Sequence, residues 1–162
     1  MRTELAAAYR AVAAEQAGVI GRRQALAAGL PSQMVDGMIR TGRWQRLDYG
    51  VYATFTGEPG REARWWAALL RAGPDAMLSH QTAAVLYELI SEDGGLVHVT
   101  VPRDGQRRRI PGAVLHRVSR ARADRHPVLL PPRTTVEATV LDLAATARSV
   151  EDAFGWVFRA TG

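Results

Sequence analysis

The sequence predicts an α+β protein made of two parts, and three observations lead to this prediction. Residues 1–56 contain three segments with the apolar spacing of helices, followed by two short strand-like segments. Residues 57–60, Gly-Glu-Pro-Gly, have the turn-forming composition of a linker. Residues 61–162 combine helical segments with two stretches that alternate apolar and polar side chains. We therefore expect a first domain over residues 1–56 and an α+β domain with a short antiparallel sheet over residues 61–162.

Three helices are predicted in the first domain. Tyr9 and Val12 lie on one helical stripe of an alanine-rich segment, which predicts a first helix that stops at Gly18. A second short helix is predicted over residues 22–28. A third is predicted over residues 31–40, with a proline at its first position.

Two short strands are predicted directly after the third helix, at residues 43–47 and 51–53, around a turn. Three helices followed by such a hairpin make a winged helix-turn-helix. In that fold the third helix enters the major groove of DNA while the hairpin, or wing, contacts phosphates. Short helix pairs with glycine turns also occur in domains that do not bind DNA, and the hairpin favours the winged helix over these. Trp44 is expected to pack under the wing against the first helix.

The second domain is predicted to mix helices with two strands. The strands are expected at residues 96–101 and 114–119, joined as a hairpin by an arginine-rich loop. Helices are predicted over residues 61–71 and 79–89, after Thr134 or Thr135, and after Ser149.

Composition and charge narrow the function classes. With 47% hydrophobic and 23% charged residues, the chain is predicted to fold rather than to be disordered. The formal net charge is +5, and residues 103–133 contain nine arginines against two aspartates, which favours a polyanionic partner. The absence of cysteine excludes disulfides and thiolate metal sites. No stretch has the length and apolarity to span a bilayer and the N-terminus lacks the pattern of an export leader, so no membrane association and a cytoplasmic location are expected.

Several blocks of the sequence closely resemble AbiEi-family antitoxins of type IV toxin–antitoxin systems. The resemblance implies a winged-helix transcriptional repressor that binds inverted repeats in its own promoter, followed by a domain that neutralises a nucleotidyltransferase-like toxin without a tight complex. It leaves the oligomeric state open. Related chains often carry a Vsr-like nuclease domain, so the alternatives are the DNA-targeting part of a larger nuclease or an interaction module that binds no DNA. The blocks are residues 18–30, 42–47, 50–53, 78–84, 98–103, 116–117 and 135–144.

The candidate DNA-binding residues lie on the predicted third helix, at the start of the second helix and at the wing. Gln33 is a candidate for adenine and Arg40 for guanine or phosphate. Asp36 and Gly37 lie in the middle of the outward face, where the antitoxins that the chain resembles usually carry arginine, so weaker DNA binding is expected. The phosphate candidates are Arg22, Arg23, Arg43 and Arg46. A second basic patch, for which a solvated loop is an equal alternative, comprises Arg103, Arg107, Arg108 and Arg109.

Neither a catalytic nor a metal site is predicted. The histidines considered for a metal or catalytic site are His80, His98, His116 and His126. If the two strands form a hairpin, His98 and His116 lie opposite each other, near enough to share a ligand. Against a metal site stand the absence of cysteine and of a His-x-x-x-His helical pair, so no metal and no cofactor are expected. The carboxylates lack the spacing of a nuclease site, and Ser79 and His80 are neighbours in sequence that would not face each other on a helix. The sequence therefore predicts a protein that is not an enzyme.

Overall fold

The structure is a computed structural model that describes residues 2–105 and 108–161. Within it the chain divides into two compact units, Met1–Arg71 and Ala72–Gly162. The division falls after the helix that was expected to open the second domain, so residues 57–60 lie inside the first unit. The assignment of separate functions to residues 1–56 and 61–162 stays a prediction.

The first unit has the element order of a winged helix. Its three strands form an antiparallel sheet in the order β1-β3-β2, so that the wing hairpin pairs through β3 with the strand between the first two helices. Sequence reasoning treated residues 19–20 as an apolar link and missed β1, because three residues are too few to display a period. The elements are α1 (Arg2–Glu15), β1 (Val19–Gly21), α2 (Arg22–Ala27), α3 (Ser32–Arg40), β2 (Gln45–Asp48), β3 (Val51–Ala53) and α4 (Arg61–Ala72).

Trp44 lies at the centre of the core of the winged helix. Its indole is 3% exposed and meets Tyr9 of α1 edge-on, with ring centroids 5.4 Å apart. On its other side it contacts Tyr52 of β3 at a centroid distance of 6.1 Å. Val35, the buried residue of α3, packs into the same cluster. This packing holds one face of α3 against the core and leaves the opposite face to solvent.

The turn between α2 and α3 sets the direction in which α3 leaves. Gly29 adopts a left-handed φ of +90°, which a glycine accepts without a steric penalty. The N–H of Leu30 then donates to the carbonyl of Ala25 at 3.1 Å. Pro31 is the N-cap of α3, one position before the place predicted for it, and its φ of −60° suits the start of a helix.

The second unit contains a three-stranded sheet in the order β4-β5-β6, flanked by helices. Sequence reasoning missed β4 and the short α6. None of the helices in the described part of the chain combines the length and apolarity needed to cross a bilayer. The elements are β4 (Met77–Leu78), α5 (His80–Leu86), β5 (Val97–Pro102), β6 (Ala113–Val118), α6 (Ala121–Asp124), α7 (Val136–Ala145) and α8 (Val150–Thr161).

The pairing of β5 with β6 is parallel, so the predicted hairpin is wrong. The ten-residue connection between β5 and β6 brings the chain back to the start of β5, where the N–H of Val97 donates to the carbonyl of Gly112, just before β6, at 2.9 Å. This connection approaches the length that a parallel crossover needs, whereas hairpins use short turns. Only β4 pairs with β5 in the antiparallel sense, so the sheet expected to be antiparallel is mixed.

Two predicted helix caps are present. Thr135 accepts a hydrogen bond from the N–H of Ala138 at 3.2 Å at the start of α7, and Ser149 accepts one from the N–H of Asp152 at 3.1 Å at the start of α8. Ser79 precedes α5 as expected, but its hydroxyl accepts a hydrogen bond from Thr100 at 2.8 Å instead of capping the helix. Ser79 therefore ties the start of α5 to β5.

Candidate nucleic-acid interface and histidine cluster

The outer face of α3 is open to solvent, as predicted. Gln33, Asp36 and Arg40 are exposed, while Val35 on the opposite face is fully buried. Gly37, between them, has no atom within 4 Å of the position that a Cβ would occupy. The middle of this face is therefore free of covering side chains and accessible to a large partner.

Asp36 is paired with Arg22. The two guanidinium nitrogens of Arg22 lie 2.8 and 3.2 Å from the two carboxylate oxygens of Asp36, and Nη2 also donates to Ser32 Oγ at 2.6 Å. This hydrogen bonding holds the pKa of Asp36 below its ordinary value and raises the pKa of Arg22. Arg22, which was predicted to contact phosphate, and Asp36, which was expected to repel it, thus neutralise each other and join α2 to α3. A contact between Arg22 and phosphate requires the guanidinium to exchange partners.

Two further predicted residues gather around the same carboxylate. After the hydrogen bond from Arg22, the positive charges of Arg40 and Arg46 also hold the pKa of Asp36 down, so all three arginines lie near it. Arg40 and Arg46 are both exposed. Together with Gln33 they form what we call the α3–wing surface: Gln33, Arg40 and Arg46 around the Arg22–Asp36 pair.

Arg23 and Arg43 are also exposed, but Arg43 lies elsewhere. It lines a shallow groove with Tyr9 and Arg10 of α1 and Met38 of α3. Three of the arginines surround Asp36, and Arg43 extends the positive charge towards α1.

The second basic patch lies on the crossover between β5 and β6. Arg103, Arg108 and Arg109 are exposed, whereas Arg107 lies outside the described residues. Arg117 on β6 donates to the backbone carbonyls of Arg103 and Gly105, which anchors the first part of the crossover. The backbone beside Arg103 is thus fixed to the sheet.

The structure also brings three histidines together. His80 at the start of α5, His98 on β5 and His116 on β6 each place a ring nitrogen within 4.8 Å of the others. His98 Nδ1 lies 3.0 Å from His116 Nε2, and the rings of His80 and His116 stack with centroids 3.7 Å apart. His98 and His116 were expected to face each other across a hairpin. They do lie close together, but on two parallel strands. His80 was named as a candidate but was not placed with this pair, because the position of α5 over the sheet is not a local feature of the sequence.

Burial keeps the cluster uncharged. His80 is 6% exposed, and burial lowers its pKa to about 3, while burial lowers the pKa of His116 to about 4 and also lowers that of His98. Burial raises the pKa of Asp142, on α7, to about 6, and its carboxylate lies 3.8 Å from His80 Nδ1. Because His80 is neutral at pH 7, this contact is polar and is not an ion pair. Each ring therefore has a nitrogen lone pair at neutral pH.

Comparison with known proteins bears on the first unit. Residues 8–54 match the model of a family described as transcriptional regulator, AbiEi antitoxin. The match runs from within α1 through β3 and so spans the helices and the wing that carry the α3–wing surface. No curated protein matches the chain. The winged helix of this protein therefore matches the AbiEi antitoxin family of transcriptional regulators, as the resemblance of its sequence predicted.

Proposed function

We propose that this protein is a DNA-binding repressor and the antitoxin of a type IV toxin–antitoxin system, which regulates its own promoter by binding inverted repeats. The observation that carries the proposal is the α3–wing surface, which is exposed and basic on a winged helix that matches a family of regulators. The second unit would neutralise a nucleotidyltransferase-like toxin. Neither activity requires a catalytic step by this chain, and both would take place in the cytoplasm.

In the proposed complex α3 lies in the major groove of double-stranded DNA. Gln33 has the donor and acceptor pair that reads adenine, and Arg40 has the planar fork that reads guanine or holds a phosphate. Arg23 and Arg46 would contact phosphates on either side, and Arg43 would add a contact from the α1 side. Phosphate contacts orient the protein, whereas the two α3 side chains supply sequence preference.

Asp36 sets the strength of this binding. A bare carboxylate in the middle of α3 would repel phosphates, but the pairing with Arg22 removes most of its field. The pair also withholds Arg22 from the DNA. Moderate affinity is therefore expected, with Arg40 and Arg46 making the main contacts.

DNA binding can be tested with a fluorescence anisotropy titration of the native promoter duplex at several salt concentrations. Replacing Arg40 and Arg46 with alanine should weaken binding and reduce the slope of log K against log salt by about one for each phosphate that the variant no longer neutralises. The matched control replaces the exposed Arg120 and Arg148 of the second unit, which removes the same charge. Equal weakening in both double variants, or no binding by the wild-type protein at low salt, would contradict the proposal.

Antitoxin activity can be tested by growth rescue in cells that express the cognate nucleotidyltransferase-like toxin. The intact chain should restore growth. If it does not, while promoter binding persists, the protein is a DNA-binding module of another system, such as the targeting part of a nuclease. If rescue occurs without promoter binding, the winged helix is an interaction module.

A further inference from the structure

We propose that His80, His98 and His116 form a binding site for one divalent transition metal ion, with Zn²⁺ as the expected occupant. The three side chains come from α5, β5 and β6 of the second unit and converge within 4.8 Å. This site would be independent of the α3–wing surface, and the proposal does not rest on DNA binding.

The spacing of the nitrogens suits a metal ion. Zn²⁺ binds imidazole nitrogen at 2.0–2.1 Å in tetrahedral sites, which places two ligand nitrogens about 3.3 Å apart. His98 Nδ1 and His116 Nε2 are 3.0 Å apart, close to that value. Two lone pairs at this distance repel each other unless a proton or a cation lies between them. A cation satisfies both nitrogens and a third ligand at once, whereas a proton satisfies only the pair.

The three imidazole ligands favour a metal ion of intermediate hardness, such as Zn²⁺. All three ligands are imidazoles, and the chain has no cysteine to offer a softer site. Three histidines satisfy three positions of a tetrahedral zinc ion and leave a fourth for water or an anion. Hard cations such as Mg²⁺ and Ca²⁺ prefer oxygen ligands and are disfavoured here.

Asp142 lies where its charge can influence the tautomer of His80. Its carboxylate is 3.8 Å from His80 Nδ1, beyond hydrogen-bonding distance, and Ser79 Oγ lies 3.0 Å from the same nitrogen. The negative charge favours the tautomer that carries its proton on Nδ1 and keeps its lone pair on Nε2. Asp142 is therefore a positioning residue, which acts through His80.

Metal binding requires rings of the cluster to turn. The three rings are inclined to one another by only 14° to 26°, so their lone pairs point along nearly parallel lines and do not meet at one ion. Rotation about χ2 of His116, which is half-buried and lies at an edge of the sheet, would direct its nitrogen to the shared position. His80 has a left-handed φ of +49°, a costly conformation for a non-glycine residue that often occurs at functional sites. This backbone position is what places the His80 ring over the two strands.

The proposal departs from the sequence-based expectation of no metal. That expectation considered all four histidines but brought only His98 and His116 together, and two ligands make a weak site. The third ligand and its carboxylate partner enter through the packing of α5 and α7 on the sheet. The competing explanation is a stack of neutral rings that serves packing alone.

The test is an isothermal titration of the full-length, chelator-treated protein with Zn²⁺, repeated with Co²⁺ to record its visible absorption. One ion per chain should bind, the melting temperature should rise, and Co²⁺ should give the intense bands of a tetrahedral nitrogen site. His98→Gln and His116→Gln should each lower the affinity by about a hundredfold or more, and Asp142→Asn by about 10- to 100-fold. The control is His126→Gln. His126 does not belong to the cluster, and its Nδ1 accepts hydrogen bonds from two backbone N–H groups. This variant should bind Zn²⁺ with the affinity of the wild-type protein.

Absence of stoichiometric binding by the wild-type protein would overturn the proposal, and so would affinity that survives both His98→Gln and His116→Gln. Circular dichroism would verify that each variant is folded. If neither histidine variant folds, X-ray absorption of the zinc-loaded wild-type protein identifies the ligands of the bound ion. Three imidazole nitrogens at about 2.0–2.1 Å support the site, and any other ligand set contradicts it.

Discussion

Arg22, at the start of α2, holds Asp36 of α3 through two hydrogen bonds of 2.8 and 3.2 Å. The pair joins the two helices of the helix-turn-helix at the surface proposed to meet DNA. It explains how an aspartate is accommodated where an anion would oppose binding. Asp36 is exposed and solvent screens the pair, so its role is to orient the two side chains rather than to stabilise the fold.

Asp36→Asn should strengthen DNA binding. The substitution removes a negative charge from the α3–wing surface and releases Arg22 for a phosphate, so the slope of log K against log salt should steepen by about one. Anisotropy titrations with the promoter duplex measure both quantities. The control is Glu58→Gln, which removes an exposed negative charge outside this surface. A fall in affinity for Asp36→Asn would mean that Asp36 touches the DNA itself or holds α3 in its binding position.

Trp44→Ala should destabilise the first unit by about 3 to 5 kcal/mol, because it removes a large buried ring from between Tyr9 and Tyr52. Denaturant unfolding followed by circular dichroism measures the change. Tyr49, which is 74% exposed near the tip of the wing, provides the comparison, and Tyr49→Ala should change stability by about 0.5 kcal/mol or less. A change near zero for Trp44→Ala would show that the wing is not anchored through this ring.

Gly37→Ala should stabilise α3 by about 0.5 to 1 kcal/mol. Gly37 lies inside the helix, has no left-handed φ, and has open space where the added methyl would lie. Gly18→Ala is the contrasting variant, since Gly18 has a φ of +80° and its Cβ would lie 2.6 Å from the ring of Phe55. Thermal unfolding should therefore shift in opposite directions for the two variants. A destabilised Gly37→Ala would mean that the outer face of α3 is covered.

Repression and antitoxicity should separate between the two parts of the chain. The Arg40→Ala and Arg46→Ala pair should weaken promoter binding but preserve growth rescue, because neither side chain belongs to a core. Replacing Arg107, Arg108 and Arg109 with alanine should leave promoter binding largely unchanged if that loop serves the antitoxic role. Both variants are assayed for rescue beside promoter binding. Loss of rescue in a folded, well-expressed Arg40 and Arg46 variant would show that the two functions are not separable.

The local features of this protein could be read from its sequence. Apolar spacing placed α3 and its exposed face, and the capping positions of Thr135 and Ser149 were predicted from residue type and context. The hairpin of β2 and β3 followed from two short strands around a turn. These predictions are correct because helix period, capping and tight turns depend on neighbours within a few residues.

What only the tertiary structure decided involves residues far apart in the chain. The alternating pattern of β5 and β6 predicted two strands but not their parallel pairing, because one strand's pattern is the same whichever direction its partner runs. Packing between elements also brought His80 to His98 and His116, and it paired Arg22 of α2 with Asp36 of α3. The sequence determined which residues form helices and strands. Their burial against each other determined which side chains share a site, since non-local contacts depend on the packing of the whole unit.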